Sequence, residues 1–269
     1  MNDTLQRVRS MRAALRDFFG RRLKSASGAD ANRLTLNMNQ VSRYGWSIDW
    51  KIKFLEHNVR LITGIPWGQL GDLEVRLAPY GAADTHPVVI PCGDSGGLHV
   101  HVSSQDAAKL VALAAFDNSI SACVNSADTL GRLINVAYEL NLKEREANLW
   151  QVAKATASNC PLGVVLHQRP GSAWMVKLRN LRGECQHGDI SAVLVIQNQA
   201  FGGPPQPPYV DIDYCEGSAS ALLVADFVTA ARNRTFELLR NAAEVIAGSP
   251  EAAFTAASTC PSGGGTKSV

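Results

Sequence analysis

The chain has 269 residues, 46% of them hydrophobic, which is enough for a sizeable core in one large domain or two small ones. Its 26 basic and 24 acidic side chains leave a formal net charge of +2, so no overall field predicts a nucleic-acid or membrane partner. No run of eighteen apolar residues occurs, and we expect no membrane span. Six cysteines without a C-x-x-C pair indicate a reduced, cytoplasmic protein without a disulfide framework.

The first 24 residues combine seven basic side chains with an apolar stripe at helical spacing. This stripe predicts an N-terminal helix that packs on the body of the protein, although an organellar transit peptide has a similar composition. Residues 25–33 are polar and predict a loop. One or two helices are expected from Leu34 to Ile62, where Trp46, Trp50 and Phe54 lie four apart and share one face.

Alternating apolar and polar residues indicate strands in the next segment. They occur over residues 73–77 and 98–102, with a shorter run over 86–90, and predict a small antiparallel β-meander between Gly71 and Val102. The string GDSGG at residues 93–97 matches the nucleophile segment of trypsin-like serine proteases, but the helical pattern upstream does not fit that fold. We therefore expect Ser95 to lie in a turn and to be inert.

Three histidines and one cysteine of this β segment are candidate zinc ligands: His86, Cys92, His99 and His101. Histidines at i and i+2 of a strand lie on the same side. No acidic residue or second cysteine stands at ligand spacing, however, so the sequence predicts no metal site.

From Ser103 onward, apolar residues step by three and four over more than thirty residues, which predicts a long helix to about Leu142 packed in a bundle. Asn118, Asn125 and Arg132 form a polar stripe on the same helix. Further helices are expected over 144–157, 172–186 and 216–247. The predicted organisation is mainly α, with N-terminal helices and the meander in 1–104, an antiparallel helical bundle in 105–247 and a disordered tail in 248–269.

The predicted helix from Ser172 to about Gln186 places four apolar residues on one face, and its other face carries Lys177, Arg179, Arg182 and Glu184. His187 closes the helix, and Gly188 follows. An arginine fork suits phosphate oxygens, and a histidine exchanges protons near neutral pH.

The spacing Arg182-x4-His187, the string LRNLRGECQH and the helix AFDNSISACVNSADTLGRLIN resemble a HEPN-like domain over residues 105–247. Active members of that family are metal-independent ribonucleases, usually dimers with two such motifs across a two-fold axis. The resemblance implies catalytic Arg182 and His187, with no metal and no cofactor. Active members usually carry a polar residue after the arginine, whereas this chain carries Gly183, so the motif is either shifted or degenerate.

The implied chemistry uses the 2′-hydroxyl of RNA as nucleophile. His187 would move the proton, Arg182 would stabilise charge on the phosphoryl oxygens, and Glu184 would orient either group. Cations near them would bind RNA phosphates, and we expect Arg179, Lys177 and Arg132 in that role.

Two hypotheses stay open. In the first, the chain is a toxin- or defence-like endoribonuclease, a homodimer with an antitoxin-like protein partner. In the second, it is a catalytically inactive helical module that binds a nucleotide, RNA or a protein partner.

Overall fold

The structure, a computed structural model, describes residues 1–65, 67, 85–91, 97–167, 169–187, 194–195, 207–215, 221–248 and 250–251. It is mainly helical, as the sequence predicts. The described chain forms seven helices: α1 (Asn2–Ser25), α2 (Gly28–Thr63), α3 (Ser104–Ala137), α4 (Leu149–Ala155), α5 (Pro161–His167), α6 (Arg169–His187) and α7 (Val224–Gly248). Two small sheets accompany them.

The chain divides into two compact units, and each is described by itself. The first unit comprises the described residues within Met1–Glu56, Ala122–Arg179 and Ala231–Val269. The second comprises those within His57–Ser121 and Asn180–Ala230. The predicted division at residue 105 stays a prediction.

Helix α1 confirms the predicted N-terminal helix. Its whole apolar stripe is buried, namely Leu5, Val8, Met11, Leu15 and Phe18. Two ion pairs join its exposed side to α7: Asp3 with Arg240 and Arg7 with Glu244. In both helices the partner nearer the N-terminus pairs with the partner nearer the N-terminus, so α1 and α7 run parallel.

The predicted polar loop over 25–33 is wrong, because only Ala26 and Ser27 separate α1 from α2. Gly28 adopts a φ of 56°, a conformation that favours glycine, and begins α2. Asp30 then lies in the first turn, where a carboxylate is favourable to the helix dipole. From there α2 continues unbroken to Thr63.

The predicted apolar seam of α3 is buried from Phe116 to Ala137, and the polar stripe of Asn118, Asn125 and Arg132 is exposed. The helix ends at Ala137 and not near Leu142. Asn135 is the reason, because its side chain donates to the carbonyl of Leu142 and accepts from its N–H, both at 3.0 Å. These two bonds hold the chain in a turn where a helix was expected.

The predicted helix over 144–157 is also too long. Its N-terminus is set by Asn148, whose side chain accepts a hydrogen bond from the Gln151 N–H at 3.0 Å, and α4 begins at Leu149. The short helix α5, which was not predicted, starts at Pro161. Proline is favoured at a first helical position, since the N–H that it lacks would be unpaired there.

Strands β1 (Thr85–Pro91) and β2 (Gly97–Ser103) pair antiparallel, with His86 opposite Val102 and His101 opposite Pro87. The predicted strand over 73–77 lies outside the described residues, as do Cys92 and Ser95. A second sheet was not predicted. It consists of β3 (Leu194–Val195), β4 (Tyr209–Val210) and β5 (Leu222–Leu223). A short 3₁₀ turn, Ile212–Tyr214, lies between β4 and β5.

The last helix therefore starts at Val224, later than the predicted residue 216, since Leu222 and Leu223 pair with β4. The predicted disordered tail over 248–269 starts too early, because Gly248 belongs to α7 and Glu251 pairs with Arg21 at 2.6 Å. Beyond Glu251, the predicted tail lies outside the described residues. Among the described residues, one segment, Ala108–Ala137, is long and apolar enough to cross a membrane by length and composition, and 56% of its most apolar window is buried within the protein.

Candidate functional site

The six residues predicted from the sequence fall in two groups. Arg132, Lys177 and Arg179 belong to the first unit, and Arg182, Glu184 and His187 to the second. Helix α6 ends at His187, as predicted. The side chain of His187 lies outside the described part of the chain, whereas Arg182 is half-buried and Glu184 is exposed.

Positions 182 and 187 do not lie on one face of α6. Residues five apart on a helix lie about 140° apart around its axis, and α6 is continuous over both. The backbone of α6 alone therefore does not bring the two positions together.

The surroundings of this turn are acidic. Burial, Asp117 and Glu184 raise the pKa of the Cys185 thiol to about 11. Burial raises the pKa of Tyr214, and the nearby carboxylates Glu184, Asp211 and Asp213 raise it further. Carboxylates repel RNA phosphates, so these neighbours oppose binding at the end of α6.

Arg179 was predicted to contact RNA, but its guanidinium donates to Asp128 Oδ1 at 2.8 Å. Both side chains are partly shielded from solvent, with exposed fractions of 30% and 20%. This ion pair neutralises Arg179, so a phosphate would have to displace Asp128. Lys177 is half-buried on the same helix.

Arg132 lies in a polar cleft of the first unit, which we call the Arg132 cleft. One wall is α2, the other is α3, and the connection between α3 and α4 closes one end. The space measures about 150 Å³ and is lined by Gln40, Tyr44, Arg132, Asn135, Val136, Leu142, Glu144 and Ala147. Lys143 and Arg145 continue the surface around Arg132 and Glu144.

Lys51 on α2 is a further cation near Arg132, although it is not among the residues that line the cleft. Its Nζ donates to Ser47 Oγ on α2 at 2.5 Å and to Thr129 Oγ1 on α3 at 3.0 Å. Burial lowers the pKa of Lys51, and the charge of Arg132 lowers it further. In the part of the chain that the structure describes, neither cation is paired with a carboxylate.

Tyr44 of α2 and Glu144 of the connection between α3 and α4 are joined by a hydrogen bond. The Tyr44 hydroxyl donates to Glu144 Oε1 at 2.8 Å, and Arg43 also approaches that oxygen, at 3.4 Å. Burial, together with this hydrogen bond to Glu144, raises the pKa of Tyr44. The carboxylate of Glu144 is therefore already bound by Tyr44 and Arg43.

The balance of charge around the cleft is positive. Glu144 lines it, and the nearby Glu146 stands 3.9 Å from Lys143 and 3.8 Å from Arg145. Four basic side chains lie around these two carboxylates: Arg43, Arg132, Lys143 and Arg145. An anion with several oxygens matches this excess of cations.

The sequence identified Arg132 but missed Lys51, Lys143 and Arg145. Lys143 and Arg145 follow the end of α3 in a charged run, which is a weak signal for a surface patch. Nothing local marks Lys51, because its nearness to Arg132 depends on how α2 and α3 pack.

Comparison with known proteins finds no matching family model, no similar curated protein and no similar solved structure. Within the described residues, no group of three or more histidine, cysteine, aspartate or glutamate side chains could hold a metal ion.

Proposed function

We propose that this chain is a HEPN-like helical module that binds RNA phosphates in the Arg132 cleft. The observation that carries the proposal is that Arg132, which has no carboxylate partner in the described chain, shares one surface with Lys143 and Arg145, while its charge also acts on the half-buried Lys51. Cations gathered in this way repel one another, and an anion bound beside them would offset that cost.

The donors of the cleft suit a phosphate group. Arginine offers a planar fork to two phosphate oxygens, and lysine offers a point charge beside it. Gln40 and Asn135 add neutral amides to the lining. A chain of phosphates would continue along Lys143 and Arg145, whose side chains are 72% and 81% exposed.

Replacement of Arg132 by glutamate should weaken RNA binding at least about tenfold, since one charge-assisted hydrogen bond contributes about 1.5–3 kcal/mol. The slope of log affinity against log salt should also become shallower by about one. Fluorescence anisotropy of a labelled single-stranded RNA, titrated at several salt concentrations, measures both quantities.

Lys24→Glu is the matched control, because it changes the charge equally at an exposed position near the end of α1. Its effect should be small. If Lys24→Glu and Arg132→Glu weaken binding equally, RNA adheres to diffuse surface charge and the cleft has no special role. Lys51→Gln should behave like Arg132→Glu.

A second candidate function is the metal-independent endoribonuclease, acting as a homodimer. The specific observation in its favour is that α6 carries Arg182 and Glu184 and ends at His187. A two-fold partner would supply the second member of each Arg182 and His187 pair. An antitoxin-like protein partner and a cytoplasmic setting belong to this candidate.

If the endoribonuclease acts, the protein should cleave mixed RNA in EDTA and leave 2′,3′-cyclic phosphate ends, which follow from attack by the 2′-hydroxyl. His187→Ala should then abolish cleavage while RNA binding in the Arg132 cleft persists, because the two sets of residues are distinct. Gel analysis of labelled RNA measures the products. Cleavage that survives in His187→Ala would contradict this candidate.

A further inference from the structure

The solvent-facing side of α2 carries three exposed aromatic side chains. Trp46 is 57% exposed, Trp50 is 69% exposed and Phe54 is 47% exposed. They stand at intervals of four residues, so successive positions differ by about 40° around the helix and about 6 Å along it. We call these three residues the aromatic stripe.

Cations accompany the stripe. The Arg12 guanidinium lies 4.1 Å from the centre of the Trp46 ring, and Lys53 Nζ lies 5.5 Å from that of Trp50. Such contacts hold rings in place and leave positive charge beside them. Arg12 is itself anchored by Asp49, to which it donates at 3.1 Å.

Carboxylates near the stripe are neutralised. Asp49 is buried and paired with Arg9 and Arg12. Glu56 is 15% exposed and paired with Arg232 at 3.2 Å. The exposed charge beside the aromatic rings is therefore basic, which complements a polyanion.

We infer that the aromatic stripe is a stacking platform for the unpaired bases of single-stranded RNA. This inference rests on the proposed function, because Lys51, which lies near Arg132, precedes Phe54 by one turn of α2 and would take the phosphates of the same strand. Proteins that bind single strands combine a cationic groove with aromatic rings in this way.

The spacing of the rings selects a single strand. The three positions are about 6 Å apart along the helix axis, which exceeds the 3.4 Å per nucleotide of a strand in a B-form duplex, so the stripe suits a strand whose bases are separated. Polar or basic residues flank the rings, among them Arg43, Ser47 and Lys53. The apolar surface is therefore narrow, whereas a protein partner or a lipid surface would favour a broad apolar patch.

The test compares Trp50→Leu with Trp150→Leu. Trp150 is the matched control, since it is an exposed tryptophan on α4 with Lys154 Nζ 5.1 Å from its ring centre. Labelled oligouridine should bind Trp50→Leu at least about fivefold more weakly than wild type, the loss expected for one stacked base. Trp150→Leu should bind it unchanged, and circular dichroism verifies that both variants fold.

Inorganic polyphosphate separates this inference from the proposed function, because it offers phosphates without bases. It should bind wild type and Trp50→Leu equally and bind Arg132→Glu weakly. If oligouridine binds Trp50→Leu as tightly as wild type while Arg132→Glu no longer binds it, the stacking inference is wrong and the proposed phosphate site in the cleft is supported. If Trp50→Leu weakens oligouridine binding and Arg132→Glu does not, the stacking inference is supported and the proposed phosphate site is wrong.

Two other occupants of the stripe would overturn the inference. In sedimentation experiments, a dimer of wild type that dissociates in Trp50→Leu would assign the stripe to a second copy of the chain. Vesicles of anionic phospholipid that bind wild type and displace oligouridine from it would assign the stripe to a membrane surface. Neither result is expected.

Discussion

Arg12→Met should lower the free energy of unfolding by about 3–5 kcal/mol, because it leaves a buried carboxylate without its main partner. The Asp49 side chain is 3% exposed, and its Oδ2 accepts from Arg12 Nη1 at 3.1 Å. Arg9 stands farther away, at 3.5 Å, and is 57% exposed, so it cannot replace the contact. Methionine keeps most of the apolar stem of Arg12. Urea denaturation followed by circular dichroism measures the change.

Arg7→Met is the matched control on the same helix. Arg7 is 45% exposed and pairs with Asp3 and Glu244 at the surface, and such pairs contribute about 0–1 kcal/mol. Adding Asp49→Asn to Arg12→Met should restore much of the lost stability, since the amide keeps the shape without the charge. Equal losses in Arg7→Met and Arg12→Met would show that the burial of Asp49 has no such consequence.

The sequence predicts best where a helix has one continuous apolar face. The stripe of α1 and the seam of α3 follow the 3.6-residue period over many turns, and both are buried. The same regularity located α6 to within a few residues of Arg169–His187. Long helices of this kind are specified by their own residues.

Short elements were missed because they carry too few residues to show a period. Strands β3, β4 and β5 have two residues each, and the helix α5 has seven. The end of α3 was also misplaced, since the apolar pattern runs on while Asn135 binds the backbone of Leu142. A side-chain bond between residues seven apart leaves no periodic signal.

The Arg132 cleft illustrates the same limit for function. The spacing Arg182-x4-His187 predicted a site at the end of α6. The structure places acidic groups around Cys185 and Tyr214 there, and it gathers cations around Arg132 from segments nearly one hundred residues apart. Charge balance at a site depends on packing between such segments, which no local pattern reveals.

The fold also explains how the cleft keeps its shape. One end of it is closed by the connection from α3 to α4, which carries Lys143, Glu144 and Arg145. Asn135 fixes the start of this connection at Leu142. Its end is fixed where α4 meets α3, because the Leu149 N–H donates to Asp128 at 3.4 Å. Both anchors lie within about two turns of Arg132 on α3.

Gly131→Ala should lower the free energy of unfolding by about 1–3 kcal/mol, although alanine is the better helix former by about 1 kcal/mol. A Cβ at Gly131 would lie 2.7 Å from the carbonyl carbon of Asn148, 2.7 Å from the nitrogen of Leu149 and 3.0 Å from its Cα. All three atoms are backbone and cannot rotate away, so the N-terminus of α4 must move from α3. That movement would shift the wall of the Arg132 cleft, and RNA affinity should fall with stability.

Gly183→Ala on α6 is the control, because no heavy atom lies within 4 Å of an added Cβ there. It should raise the free energy of unfolding by about 0.5–1 kcal/mol, since alanine reduces the freedom of the unfolded chain at a position that is already helical. The two substitutions are chemically identical and differ only in what surrounds the added methyl group. Opposite signs in parallel urea titrations are the expected result. If both variants lose stability, the effect is caused by alanine itself and not by the close approach of α3 and α4.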